Sequence, residues 1–69
     1  MTVEEKTFEI LQENKSFGMS IDELYNQVRD KFPNDEPGSV YNEVAVALDK
    51  GLKARKIKKT TGGFYCWIR

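Results

Sequence analysis

The 69-residue chain has no histidine and one cysteine, Cys66. A single thiol cannot close an intramolecular disulfide, and without histidine there is no zinc site of Cys/His spacing. The same gap removes the commonest general base and the partner of most nucleophilic dyads. The inventory therefore speaks against an enzyme, a bound metal or a cofactor. No apolar run approaches the ~18 residues of a membrane span. The N-terminus, MTVEEKTFEI, turns acidic at once and does not read as a signal or transit peptide. Internal repeats and low-complexity segments are also missing. What remains, 39% apolar and 32% charged residues, suits one small soluble domain over 1–69. A chain this short buries only about 60% of its unfolded surface, so modest stability is expected.

The formal net charge is zero, but the charge is sorted along the chain. Through Glu36, nine acids face four bases, leaving −5; from Pro37 onward, seven bases face two acids, leaving +5. A basic half of this kind suggests a polyanionic partner. The alternative is that the two halves simply attract each other.

Apolar spacing predicts three helices. The first runs from Val3 to Asn14, capped by Thr2, with apolar Val3, Phe8, Ile10 and Leu11; Phe8 and Leu11 are i,i+3, and Thr7, Ile10 and Leu11 continue that side. The connector at 14–19 holds Gly18 for a turn. Phe17 and Met19, two apart, suggest a short third strand near 17–19. Ser20-Ile21-Asp22-Glu23 is a capping box opening the second helix, whose stripe is Ile21, Leu24, Tyr25, Val28 and Phe32. Pro33-Asn34 ends it. Pro37 suits the first turn of a third helix that runs to about Lys50, with Gly51 as its C-terminal cap. Val40, Val44, Ala47 and Leu48 form its buried stripe. At 100° per residue, its opposite face holds Ser39, Asn42, Val46, Asp49 and Lys53, with Lys50 flanking.

A hairpin follows. Gly62-Gly63 signals a two-residue turn, because type I′ turns need positive φ at both positions. That loop pairs Thr61 with Phe64, Lys59 with Cys66 and Ile57 with Ile68. A four-residue loop would shift the partners by two and keep the faces. Ile57, Phe64, Cys66 and Ile68 should then be core, together with Leu11, Leu24, Val28, Val44 and Leu48. Lys56, Lys58, Tyr65, Trp67 and Arg69 should form a cationic, aromatic outer face. Tyr65 and Trp67 there offer a partner surface, unless they pack under the lysine stems or against the first helix. The alternative for the lysines from Lys53 to Lys59 is a solvated, charged edge ribbon that blocks aggregation.

The order helix, extended link, helix, turn, helix, hairpin resembles the winged helix-turn-helix superfamily over nearly the whole chain. The carrying features are Ser20-Ile21-Asp22-Glu23-Leu24-Tyr25, Ala47-Leu48-Asp49-Lys50-Gly51, and Ile57 with Gly63-Phe64-Tyr65-Cys66-Trp67-Ile68. More loosely, 8–15 and the ending 63–69 look like HARE-HTH domains and the N-terminal domain of the bacterial RNA polymerase delta subunit. The resemblance implies an α+β winged helix-turn-helix: three helices followed by a C-terminal β-hairpin wing. It implies binding of double-stranded DNA by a small transcriptional regulator or nucleoid-type protein, in the cytoplasm or nucleoid, or in the nucleus of a eukaryote. Ser39, Asn42, Val46, Lys50 and Lys53 would then face the major groove, and Lys56, Lys58, Lys59, Thr60 and Thr61 would hold phosphates. The third helix, however, carries no Arg to read guanine and exposes Asp49; Arg55, just past it, is the only fork nearby. A wing-led contact is thus favoured over base reading. Winged helices that bind proteins exist too, so an adaptor or inhibitor with a protein partner stays open, with Val46, Tyr65 and Trp67 as its surface.

Overall fold

Residues 2–14 and 18–68 are described by the structure, a computed structural model. The order is α1 (Val3–Glu13), α2 (Ile21–Lys31), α3 (Pro37–Lys53), β1 (Ile57–Lys59) and β2 (Tyr65–Trp67), an α+β domain of three helices and an antiparallel hairpin. Both α1 and α2 pack on α3, β1 lies against α3, and β2 lies against α1. The core is built from Val3, Ile10 and Leu11 of α1, Leu24 and Val28 of α2, Val40, Val44 and Leu48 of α3, with Met19 and Ile57. These are the stripes that helical periodicity predicts. Thr7 is buried among them, its hydroxyl donating to the Val3 carbonyl at 2.8 Å. Among the described residues no buried side-chain nitrogen or oxygen lacks a partner.

Helix starts follow the capping chemistry. The Glu23 backbone N–H donates to Ser20 Oγ at 3.2 Å, and the Ser20 N–H donates back to Glu23 Oε1 at 3.1 Å. A second reciprocal box closes α1 between Thr2 and Glu5, beyond the simple Thr2 cap expected. α3 starts with Pro37 in its first turn and no side-chain cap from Glu36.

α3 does not stop at Gly51. It continues to Lys53, and Gly51 is a buried residue inside its last turn. The glycine is there for space: a Cβ on it would stand 2.2 Å from Ile57 Cδ1. The turn that ends α3 falls three residues later. Lys56 N–H donates to the Gly51 carbonyl at 2.9 Å and Arg55 N–H to the Leu52 carbonyl at 3.1 Å, a Schellman motif. Arg55 occupies its left-handed position, at φ 60°.

The hairpin corrects the sequence reading more deeply. Its register is Ile57↔Trp67, Lys58↔Cys66 and Lys59↔Tyr65. The loop has three residues, not two or four. Gly63 N–H donates to the Thr60 carbonyl at 3.0 Å, Gly63 sits at φ 84°, and Thr60 N–H meets the Phe64 carbonyl at 2.8 Å. This is a type I turn followed by a left-handed glycine bulge. A one-residue slip reverses every side chain of one strand. Tyr65 and Trp67 therefore share the inner face with Ile57 and pack against the core. Phe64 and Ile68, expected in the core, are 43% and 47% exposed, and Cys66 is half-buried. Of the strand expected near 17–19, Met19 forms one antiparallel bridge to Tyr65, with hydrogen bonds of 3.0 and 2.8 Å. Phe17 and Arg69 lie outside the described residues.

Candidate nucleic-acid interface

On α3, Ser39, Asn42, Val46, Lys50 and Lys53 all emerge on the exposed side, as the helical wheel requires. The charges on that side cancel. Lys50 Nζ lies 3.2 Å from Glu4 Oε1 of α1, and Lys53 Nζ lies 3.1 Å from Asp49 Oδ2. Val46, 45% exposed, lies in a shallow recess shared with Thr2, Glu4, Glu43 and Lys50. Glu4 brings a carboxylate of the acidic half onto this surface. Glu43 was legible in the sequence, since it stands four residues after Ser39 and three before Val46 on one helical face. The two carboxylates make this part of α3 a poor bed for phosphates.

The hairpin end differs. From Ala54 to the C-terminus there are five bases and no acid. Arg55, Lys56, Lys58 and Lys59 are exposed, and none takes part in the ion pairs among the described residues. With no Asp or Glu in the segment, their fields add within a screening length of about 8–10 Å at ordinary salt. Structure at the end of α3 sets where they stand. The left-handed Arg55 turns the chain from α3 into β1, and Ile57 is pinned over Gly51. Lys58, the alternate residue, then faces outward.

Lys59 shares a face with its partner Tyr65, and its Nζ lies 5.5 Å from that ring's centroid. Thr60 is partly committed to the turn, its Oγ1 accepting from the Phe64 N–H at 3.2 Å, while Thr61 is exposed at the tip.

Tyr65 and Trp67 do not face outward; they take the alternative open to them, packing against the first helix and under a lysine stem. Trp67 packs on Phe8 of α1, with centroids 5.6 Å apart and planes at 54°. Tyr65 is half-buried beneath Lys59. The outer face carries Phe64, Cys66 and Ile68 instead. No local signal marks this, because every residue from Phe64 to Ile68 is apolar or aromatic and either alternation looks like a core face.

The Thr2 backbone N–H, then the Thr2 hydroxyl, hold the Glu5 carboxyl below the usual carboxylate range, a property of the helix cap. Among the described residues no group of three acids or thiols stands where it could hold a metal ion. None of the described helices is long and apolar enough to cross a membrane. No family model, curated protein or solved structure matches the chain.

Proposed function

We propose that this protein is a duplex DNA-binding module with a winged-helix arrangement, a small transcriptional regulator or nucleoid-type protein that grips phosphates mainly from its hairpin. In that role it works in the cytoplasm or on the nucleoid, or in the nucleus of a eukaryote. One observation carries the reading: four exposed cations, Arg55, Lys56, Lys58 and Lys59, crowd an acid-free segment and belong to none of the ion pairs of the described residues. α3 contributes less, since Lys50 and Lys53 are matched by Glu4 and Asp49. Sequence preference is weak as well, because base reading needs forked donors aimed into the groove and this helix offers only the short side chains of Ser39 and Asn42 beside its paired lysines.

Replacing Lys58 and Lys59 by Ala should weaken binding to every duplex sequence alike. It should also flatten the dependence of log affinity on log salt by up to about 2, each lost phosphate contact removing roughly 0.9. Asn42→Ala should leave binding to random duplex unchanged. If the lysine pair only guards the exposed edge of β1, the double variant will aggregate more readily with no change in DNA retention.

A further inference from the structure

The three-residue loop has a second result. It turns Phe64, Cys66 and Ile68 to the outer face of the hairpin as one alternating row. Phe64 and Ile68 are 43% and 47% exposed at its two ends, about 13 Å apart at ~3.3 Å per strand residue. Beside this row runs a cationic one. Lys58 is paired with Cys66, and the Ile68 N–H donates to the Lys56 carbonyl at 2.9 Å, which sets Lys56 beside Ile68. On its far side the row meets Gly18, where a Cβ would fall 2.6 Å from Phe64 Cβ and 3.1 Å from Cys66 Sγ. The lack of a side chain there lets the backbone at Gly18 lie close against Phe64 and Cys66. The outer face is thus a tape of two rows, apolar and cationic.

We propose that this tape docks an acidic, apolar-anchored segment of a partner protein, with apolar side chains on Phe64 and Ile68 and carboxylates toward Lys56 and Lys58. Charge complementarity selects the occupant. The segment from Ala54 onward holds no acid, so the carboxylates must come from outside it. Face-to-face pairing of two copies through this tape would bring lysine rows together and is disfavoured by like-charge repulsion. Nucleic acid accounts for the lysines but not for the aliphatic Ile68, which offers no ring to stack a base. The apolar row separates this proposal from the DNA reading, although the two share Lys56 and Lys58. A partner held here would compete with DNA.

The test uses the full chain, labelled with nitrogen-15, and three probes: a ten-residue peptide of interspersed Leu and Glu, the same peptide with each Leu replaced by Ser, and an oligothymidylate. The Leu/Glu peptide should shift the amide signals of residues 56–58 and 64–68. It should bind roughly tenfold tighter than the Ser version, about what one partly buried aliphatic anchor supplies. Phe64→Ser with Ile68→Ser should remove that advantage while duplex retention and the unfolding midpoint stay as in the wild type. Ile68→Ser alone should remove part of it, which keeps the test open if the double variant folds poorly. Equal binding of both peptides, shifts elsewhere, or loss of duplex retention in the serine variants would overturn the proposal. So would shifts of the same amides by oligothymidylate and not by the Leu/Glu peptide, or a doubled sedimentation mass that Ile68→Ser abolishes.

Discussion

Arg55 stands at φ 60° in the turn that closes α3, a backbone region that costs an L side chain about 1–2 kcal/mol. Glycine would relieve that strain at some cost in unfolded-chain entropy, so Arg55→Gly should raise stability by about 0.5–1 kcal/mol in urea titration. The same change removes one cation from the hairpin end. A variant that is more stable yet binds duplex less tightly would separate the two roles of the position; a less stable one would show that the Arg55 side chain holds structure. Gly51 predicts the opposite sign. A methyl there collides with Ile57, so Gly51→Ala should cost about 1–3 kcal/mol despite the better helix propensity of alanine. Leu24 is fully buried and central to α2, and Leu24→Ala should cost roughly 2–5 kcal/mol, enough to threaten a domain of this size. Glu5 gives a pH dependence. Its folded carboxyl titrates below the ordinary range, so its cap stabilises the fold above the unfolded-state value and is lost as pH falls through the folded value. Glu5→Gln should flatten the acid limb of a stability–pH curve, and an unchanged limb would show that the cap does not couple to titration.

At the scale of elements, the helices were legible because each has one apolar stripe and a local start signal. Ser20 to Glu23 marks α2, and Pro37 marks α3. Gly51 misled because a glycine near a helix end usually permits a left-handed turn. Here it makes room for Ile57, a contact that exists only once the chain has folded back. The hairpin was legible in existence but not in register. Gly62-Gly63 suits a two-residue turn, yet only Gly63 among the loop glycines takes positive φ, within a three-residue loop. With apolar residues on both faces of β2, alternation cannot decide which face goes inside. Packing decides it, since the inward register buries parts of the two largest side chains, Tyr65 and Trp67, against the core and α1. Gly63→Ala should therefore cost about 1–2 kcal/mol, the penalty of a left-handed L residue, with no clash to add because nothing lies within 4 Å of its Cβ position. A neutral result in thermal unfolding would mean that the loop can adopt another turn.

Across the whole molecule, the sorted charge of the sequence is only partly kept apart by the fold. α1 brings Glu4 to Lys50, so the acidic and basic halves meet along α3. The basic surface that survives is smaller than the +5 of residues 37–69 suggests, and it lies at the hairpin end. That limits the proposed DNA contact to a few phosphates and so to a moderate salt dependence. The most direct measurement is a fluorescence-anisotropy titration of a labelled random-sequence duplex with the wild-type protein at about 50 and 200 mM salt. With up to four cations contacting phosphates at roughly 0.9 each, binding should saturate at low salt and fall with a log–log slope of about −2 to −4. An absence of binding at the lower salt, or a slope near zero, would contradict the account.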